Sequence, residues 1–114
     1  MPGPEWLNKK VTTRSRSKKQ ETKIAIDLKG RTTANSGAVF GENDVTTDFC
    51  EIEAKTTKKK SFSLDSGYFR KVEKKTKLGK LPVMVIDYET TGQSLAVLKY
   101  DDLKYLIAQA NKRD

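Results

Sequence analysis

The sequence predicts one α/β domain built on a mixed sheet of about five strands flanked by helices. Three observations carry this. The 114 residues suit a single domain and leave little room for a second. Helical and strand-like patterns alternate in the order α-β-β-β-α-β-β-α. The continuous apolar run Leu81-Pro82-Val83-Met84-Val85-Ile86 reads as a strand buried on both faces.

Residues 1–16 carry two prolines, a glycine and four basic residues without apolar periodicity, and read as a flexible basic arm ahead of a domain over 17–114. From about Ser17 to Lys29 the pattern is helical. Ile24, Ala25 and Leu28 share a face by three- and four-residue spacing, and Gly30 stands where the helix should stop. Glu21 lies on that same apolar face, an unusual place for a carboxylate. Residues 31–43 read as a short strand and a glycine-punctuated loop, and 45–49 with 50–57 as a hairpin. Strand alternation puts Cys50, Ile52, Ala54 and Thr56 on one face, and Glu51, Glu53, Lys55 and Thr57 on the other.

Leu64, Tyr68 and Val72 recur every four residues, so a second helix is expected over about 65–77, capped by Asp65 or Ser66. Lys71, Lys74, Lys75 and Lys77 are assigned to its outer face. After the apolar strand comes another, over 94–99. The last helix is expected to be capped by Asp101 and to present Leu103, Leu106, Ile107 and Ala110 as one stripe.

Composition narrows the chemistry. Lys and Arg number 23 against 15 Asp and Glu, a net charge of +8, which points to a polyanionic partner and to nucleic acid first. The absence of histidine removes histidine bases and the common zinc sites. The lone cysteine, Cys50, allows no internal disulfide, fits a reducing compartment, and reads as a small core residue. No stretch approaches the about 20 apolar residues of a membrane span, and no signal peptide is evident. Hydrolytic chemistry therefore has to rest on carboxylates, lysine and a hard metal ion.

The segment Asp44 through Lys55 supplies such a set. Glu53 and Lys55 stand side by side on one strand face, about 7 Å apart along the chain, and Asp44 can reach them from the entry of the adjacent strand. Two nearby carboxylates repel unless a cation lies between them, and Mg²⁺ prefers such oxygen ligands. Glu21, projecting inward, can join directly or through water. Glu51 shares the face of Glu53 and is the competing ligand; Glu53 is preferred because it is spaced two from Lys55. Acid-x-Lys also occurs on ordinary strand faces as an ion pair, so the surrounding pattern carries the assignment.

Residues 17–99 resemble an archaeal-type Holliday junction resolvase of the PD-(D/E)XK nuclease superfamily. The matching stretches are the Glu21-bearing helix, N-S-G-A near 36, N-D-V at 43–45, C-E-I-E-A-K-T-T-K-K at 50–59 and G-K-L-P-V-M-V-I at 79–86. The resemblance implies a restriction-endonuclease-like fold and a cytoplasmic enzyme of a prokaryotic cell or its phage. It further implies a Mg²⁺-dependent homodimer, with Mn²⁺ able to substitute, that cuts four-way junctions symmetrically. Carried over, Asp44 and Glu53 are metal ligands, the Ala54 carbonyl is a further ligand, Lys55 is catalytic, Glu21 completes the site and Ser36 assists.

DNA would be held by phosphate contacts from Lys9, Lys10, Arg14, Arg16, Lys18, Lys19, Arg31 and the run Lys58, Lys59, Lys60, with Phe62, Tyr68 and Phe69 as apolar candidates for the dimer contact. Two main rivals stand beside this reading, with an RNA-binding domain as a weaker third, disfavoured by the scarcity of aromatics for base stacking. One is another PD-(D/E)XK nuclease acting on duplex or branched DNA. The other is a non-catalytic basic DNA-binding module in which Glu53 and Lys55 are structural.

Overall fold

The computed structural model describes residues 13–33 and 43–112. These form a five-stranded mixed sheet with three helices. The elements are α1 (Thr13–Asp27), β1 (Arg31–Thr32), β2 (Val45–Thr46), β3 (Cys50–Thr57), α2 (Ser66–Lys75), β4 (Leu81–Tyr88), β5 (Gln93–Val97) and α3 (Tyr100–Asn111). The strands lie in sequence order, β1-β2-β3-β4-β5. All neighbours are antiparallel except β3 and β4, which run parallel in register from Cys50↔Leu81 to Thr57↔Tyr88. A parallel pair needs a long crossover, and the segment carrying α2 provides it.

The sheet is covered on both sides. Against one face, Ile24 and Ala25 of α1 pack on Val45, Ile52, Ala54 and Val83, with Cys50 at the margin as expected. Against the other, Phe69 and Val72 of α2 pack on Met84 and Ile86, with Phe62, Leu64, Tyr68 and Val97 around them. The alternation in β3 and β4 therefore sorts two cores, one on each side of the sheet. Asp65 caps α2, its side chain accepting the Tyr68 amide at 2.8 Å. The chain leaves α1 through Lys29, whose φ of 56° is left-handed, and Gly30, where a Cβ would collide with the Thr46 carbonyl. Only glycine lets the end of the first helix lie against β2.

Several sequence expectations need correction. Thr13 to Arg16, assigned to the arm, already belong to α1; the arm's residues 1–12 lie outside the described residues. Leu28 lies past the end of α1 and is exposed, while Gln20, one turn before Ile24, is the buried polar residue. The first turn of α3 starts from Lys99, and Asp101 lies within the helix rather than capping it. The stripe on α3 is not packed: no residue of α3 is buried, and Leu103 and Ile107 are exposed. Of the apolar candidates for a partner contact, Phe69 is buried in the core, while Phe62 and Tyr68 pack against it and stay partly exposed. No helix among the described residues is long and apolar enough to cross a membrane.

Candidate active site

The site forms where the ladder between β2 and β3 stops. β2 is two residues long and meets β3 only at Glu51 and Ile52, so among the described residues β3 is paired from Glu53 onward through β4 alone. At that point the Asp44 side chain takes over: its Oδ2 accepts the Ala54 amide at 2.8 Å. A carboxylate thus fills the place of a backbone acceptor, fixing Asp44 against the central strand. Asp44 is 9% exposed and Glu53 8%. Buried carboxylates need counter-charge or hydrogen bonds, and here both are provided.

Glu53 lies between two ammonium groups. Lys55 Nζ stands 3.4 Å from its Oε2, and Lys75 Nζ donates to its Oε1 at 3.1 Å. Lys75 comes from the last turn of α2, so it points into the site and not to the outer face expected for it. Lys55 lies 5.9 Å from the centre of the Tyr68 ring. Burial works to lower the Lys55 pKa, but hydrogen bonding to Tyr68 and the charge of Glu53 outweigh it, and the net shift is upward. Lys55 is therefore held as a cation.

Glu21 reaches the same field from α1. Its pKa is raised first by burial, then by the charge of Asp44, with Lys18 opposing and Glu53 adding a further rise. Glu21 on α1 thus feels the charges of Asp44, at the entry of β2, and of Glu53 on β3. Folded Glu21 holds its proton more tightly than the unfolded chain does. Its contribution to stability is therefore lost as pH climbs from the ordinary value of 4.5 through the raised folded value. In chelator, Glu21→Gln is expected to raise the urea midpoint at neutral pH and to leave it unchanged below about pH 4, where the carboxyl is protonated in both states. Equal midpoints at pH 7 would contradict this assignment of Glu21.

Glu51 occupies a different environment. It is 4% exposed and accepts from Asn43 Nδ2 at 3.4 Å. The same amide donates to Thr76 Oγ1 at 3.0 Å and to the Val72 carbonyl at 3.4 Å. Asn43 thereby ties the C-terminal end of α2 to the strands that bear the site. On the opposite side, Gln20 Nε2 donates to the Lys55 carbonyl at 2.9 Å and bolts α1 to the same stretch of β3. Lys75, Asn43, Gln20 and Tyr68 are the members that the sequence reading missed. Lys75 and Gln20 had a signal: Lys75 is three after Val72 and Gln20 is four before Ile24, so both lie on apolar stripes.

Ser36 lies outside the described residues. Arg14 and Arg16 fall in the first turns of α1, while Lys18, Lys19, Arg31, Lys58, Lys59 and Lys60 are exposed. The lysine run directly follows the end of β3, past Lys55.

The donor set suits a hard divalent cation: carboxylate oxygens from three chain segments, mutually repelling, one with a raised pKa. As the side chains stand, no three of them among the described residues enclose an ion. Both Glu53 oxygens are engaged by lysine. No family model, curated protein or solved structure matches this chain.

Proposed function

We propose that this protein is a Mg²⁺-dependent endonuclease that resolves four-way DNA junctions by paired phosphodiester hydrolysis. What supports this most is that the charges of Asp44 and Glu53 both reach the Glu21 carboxyl, while Lys55, held in its charged form, pairs with Glu53. Glu53 and Asp44 would hold the metal, with Glu21 and the Ala54 carbonyl completing its surroundings. A bound Mg²⁺ supplies Lewis acidity and a water of lowered pKa. Asp44, braced on the Ala54 amide, is oriented in advance. Lys55, kept as an ammonium, is suited to neutralise charge developing on the phosphate rather than to accept a proton. The exposed Lys58–Lys60 run and the basic flank of α1 would position the DNA backbone without reading sequence.

Junction preference follows from the resemblance to archaeal-type resolvases and from the two-fold symmetry of the substrate, which calls for two sites related the same way. A second copy would attach through α3. Its exposed Tyr100, Leu103 and Ile107 follow three- and four-residue spacing. With Asp101 and Asp102 against Lys104, it carries a slight negative charge within a chain of net +8, so two basic chains meet there with least repulsion. Sedimentation at micromolar concentration is expected to give a dimer, and Ile107→Asp a monomer with unchanged circular dichroism. A monomeric wild type would remove this part of the proposal.

The central test is incubation of a labelled four-way junction and a linear duplex of the same sequence with Mg²⁺. Selective, Mg²⁺-dependent cleavage of the junction supports the proposal. Equal cleavage of both would favour a duplex nuclease. No cleavage of either, with binding intact, would favour a DNA-binding module.

A further inference from the structure

We infer that Lys75 is a second functional lysine of this site, one that competes with the divalent cation for Glu53 in the resting protein and is released toward the DNA phosphate when the cation binds. The inference rests on the nuclease reading and adds to it a residue which that reading does not use.

The geometry is direct. Lys75 Nζ donates to Glu53 Oε1 at 3.1 Å, while Lys55 takes the other oxygen at 3.4 Å. One carboxylate thus serves two ammonium groups. The Lys75 side chain is 29% exposed and that of Glu53 only 11%, so the pair is poorly screened. A metal ion that binds Glu53 has to take an oxygen from one of these lysines. Lys55 shares its strand with Glu53, and its ammonium also lies 5.9 Å from the centre of the Tyr68 ring. Lys75 touches the site through Glu53. It is the partner that can leave at lower cost.

Its position is nonetheless built into the fold. Lys75 ends α2, and the next residue, Thr76, is the helix C-cap, whose backbone amide donates to the Glu73 carbonyl. Thr76 Oγ1 donates to the Val72 carbonyl at 2.8 Å and accepts from the Asn43 amide at 3.0 Å. Asn43 is 1% exposed and immediately precedes Asp44. The helix end that carries Lys75 is therefore pinned to the residue next to a proposed metal ligand. Once displaced, the ammonium stays near the carboxylates, where an incoming phosphate oxygen replaces Glu53 as its acceptor. No bond is made or broken in this exchange; one ion pair is traded for another.

Calorimetric titration of the DNA-free protein with Mn²⁺, alongside junction cleavage, tests this. Lys75→Met is expected to bind Mn²⁺ several-fold more tightly than wild type, because the competitor is gone, and to cleave at least about tenfold more slowly. Lys75→Arg, which keeps the cation, should restore wild-type Mn²⁺ affinity. Unchanged or weaker Mn²⁺ binding by Lys75→Met, with Mn²⁺ binding still lost in Glu53→Gln, would overturn the role of Lys75 and leave the nuclease reading standing. A wild type without Glu53-dependent Mn²⁺ binding would overturn both.

Discussion

Glu53→Gln is expected to reduce junction cleavage by roughly 10²–10³-fold or more, and Lys55→Met by a comparable factor, the scale on which loss of a preorganised charged group weakens a transition state. The two substitutions differ in what they do to the fold. Glu53 is the shared counter-charge of Lys55 and Lys75, so replacing it leaves two half-buried ammonium groups facing a neutral amide. Stability should fall by about 1–3 kcal/mol, the usual cost of an unsatisfied polar group, discounted because both lysines retain some solvent. Lys55→Met leaves Glu53 with Lys75 and puts an apolar chain against Tyr68, so its cost should be smaller. Single-turnover rates with saturating junction, paired with urea midpoints, separate chemistry from folding. A Glu53→Gln enzyme within threefold of wild-type rate would refute the placement of the site.

Met84→Ala should be the most damaging substitution away from the site. Met84 is fully buried beneath α2, packed with Phe69, Val72 and Ile86. Truncating such a side chain costs about 2–5 kcal/mol, the transfer free energy plus the cavity left behind. For a domain of this size that corresponds to a melting temperature lower by roughly 10–20 °C. Leu78→Ala is the control. It removes a similar apolar volume from the turn before β4, where the side chain is fully exposed, and should change stability by no more than about 0.5 kcal/mol. Thermal melts of the two variants decide the matter; a Met84→Ala protein as stable as Leu78→Ala would mean that the second core contributes little.

Strand alternation made much of this legible. Glu53 and Lys55 had to share a face because side chains in a strand repeat every two residues, and Ile52 with Ala54 had to face the other way. The run Leu81 to Ile86 announced a covered strand, and β4 is indeed sandwiched between two cores. Glu21 was flagged by its place on an apolar stripe. The same rule would have flagged Lys75 and Gln20, but a lysine-rich helix and a neutral amide hide the signal: four lysines close together read as a solvated surface, although Val72 marks which one turns inward. The position of Tyr68 over Lys55 had no local signal at all, since it depends on how the crossover docks α2 on the sheet. The last helix shows a different limit. Its periodicity states that one side is apolar, yet no residue of the helix is buried among the described residues; spacing tells which residues want cover, not what covers them.

The bond from the Ala54 amide to Asp44 gives that aspartate two duties. It is a proposed cation ligand and also a rung of the sheet where main-chain pairing has run out. An inactive Asp44→Ala protein would therefore carry an orphaned amide in its central strand as well as a depleted charge cluster. On the proposed reading, chemistry and architecture would share one side chain here, and a substitution meant to remove the charge cluster while sparing the fold is better placed at Glu21 or Lys55.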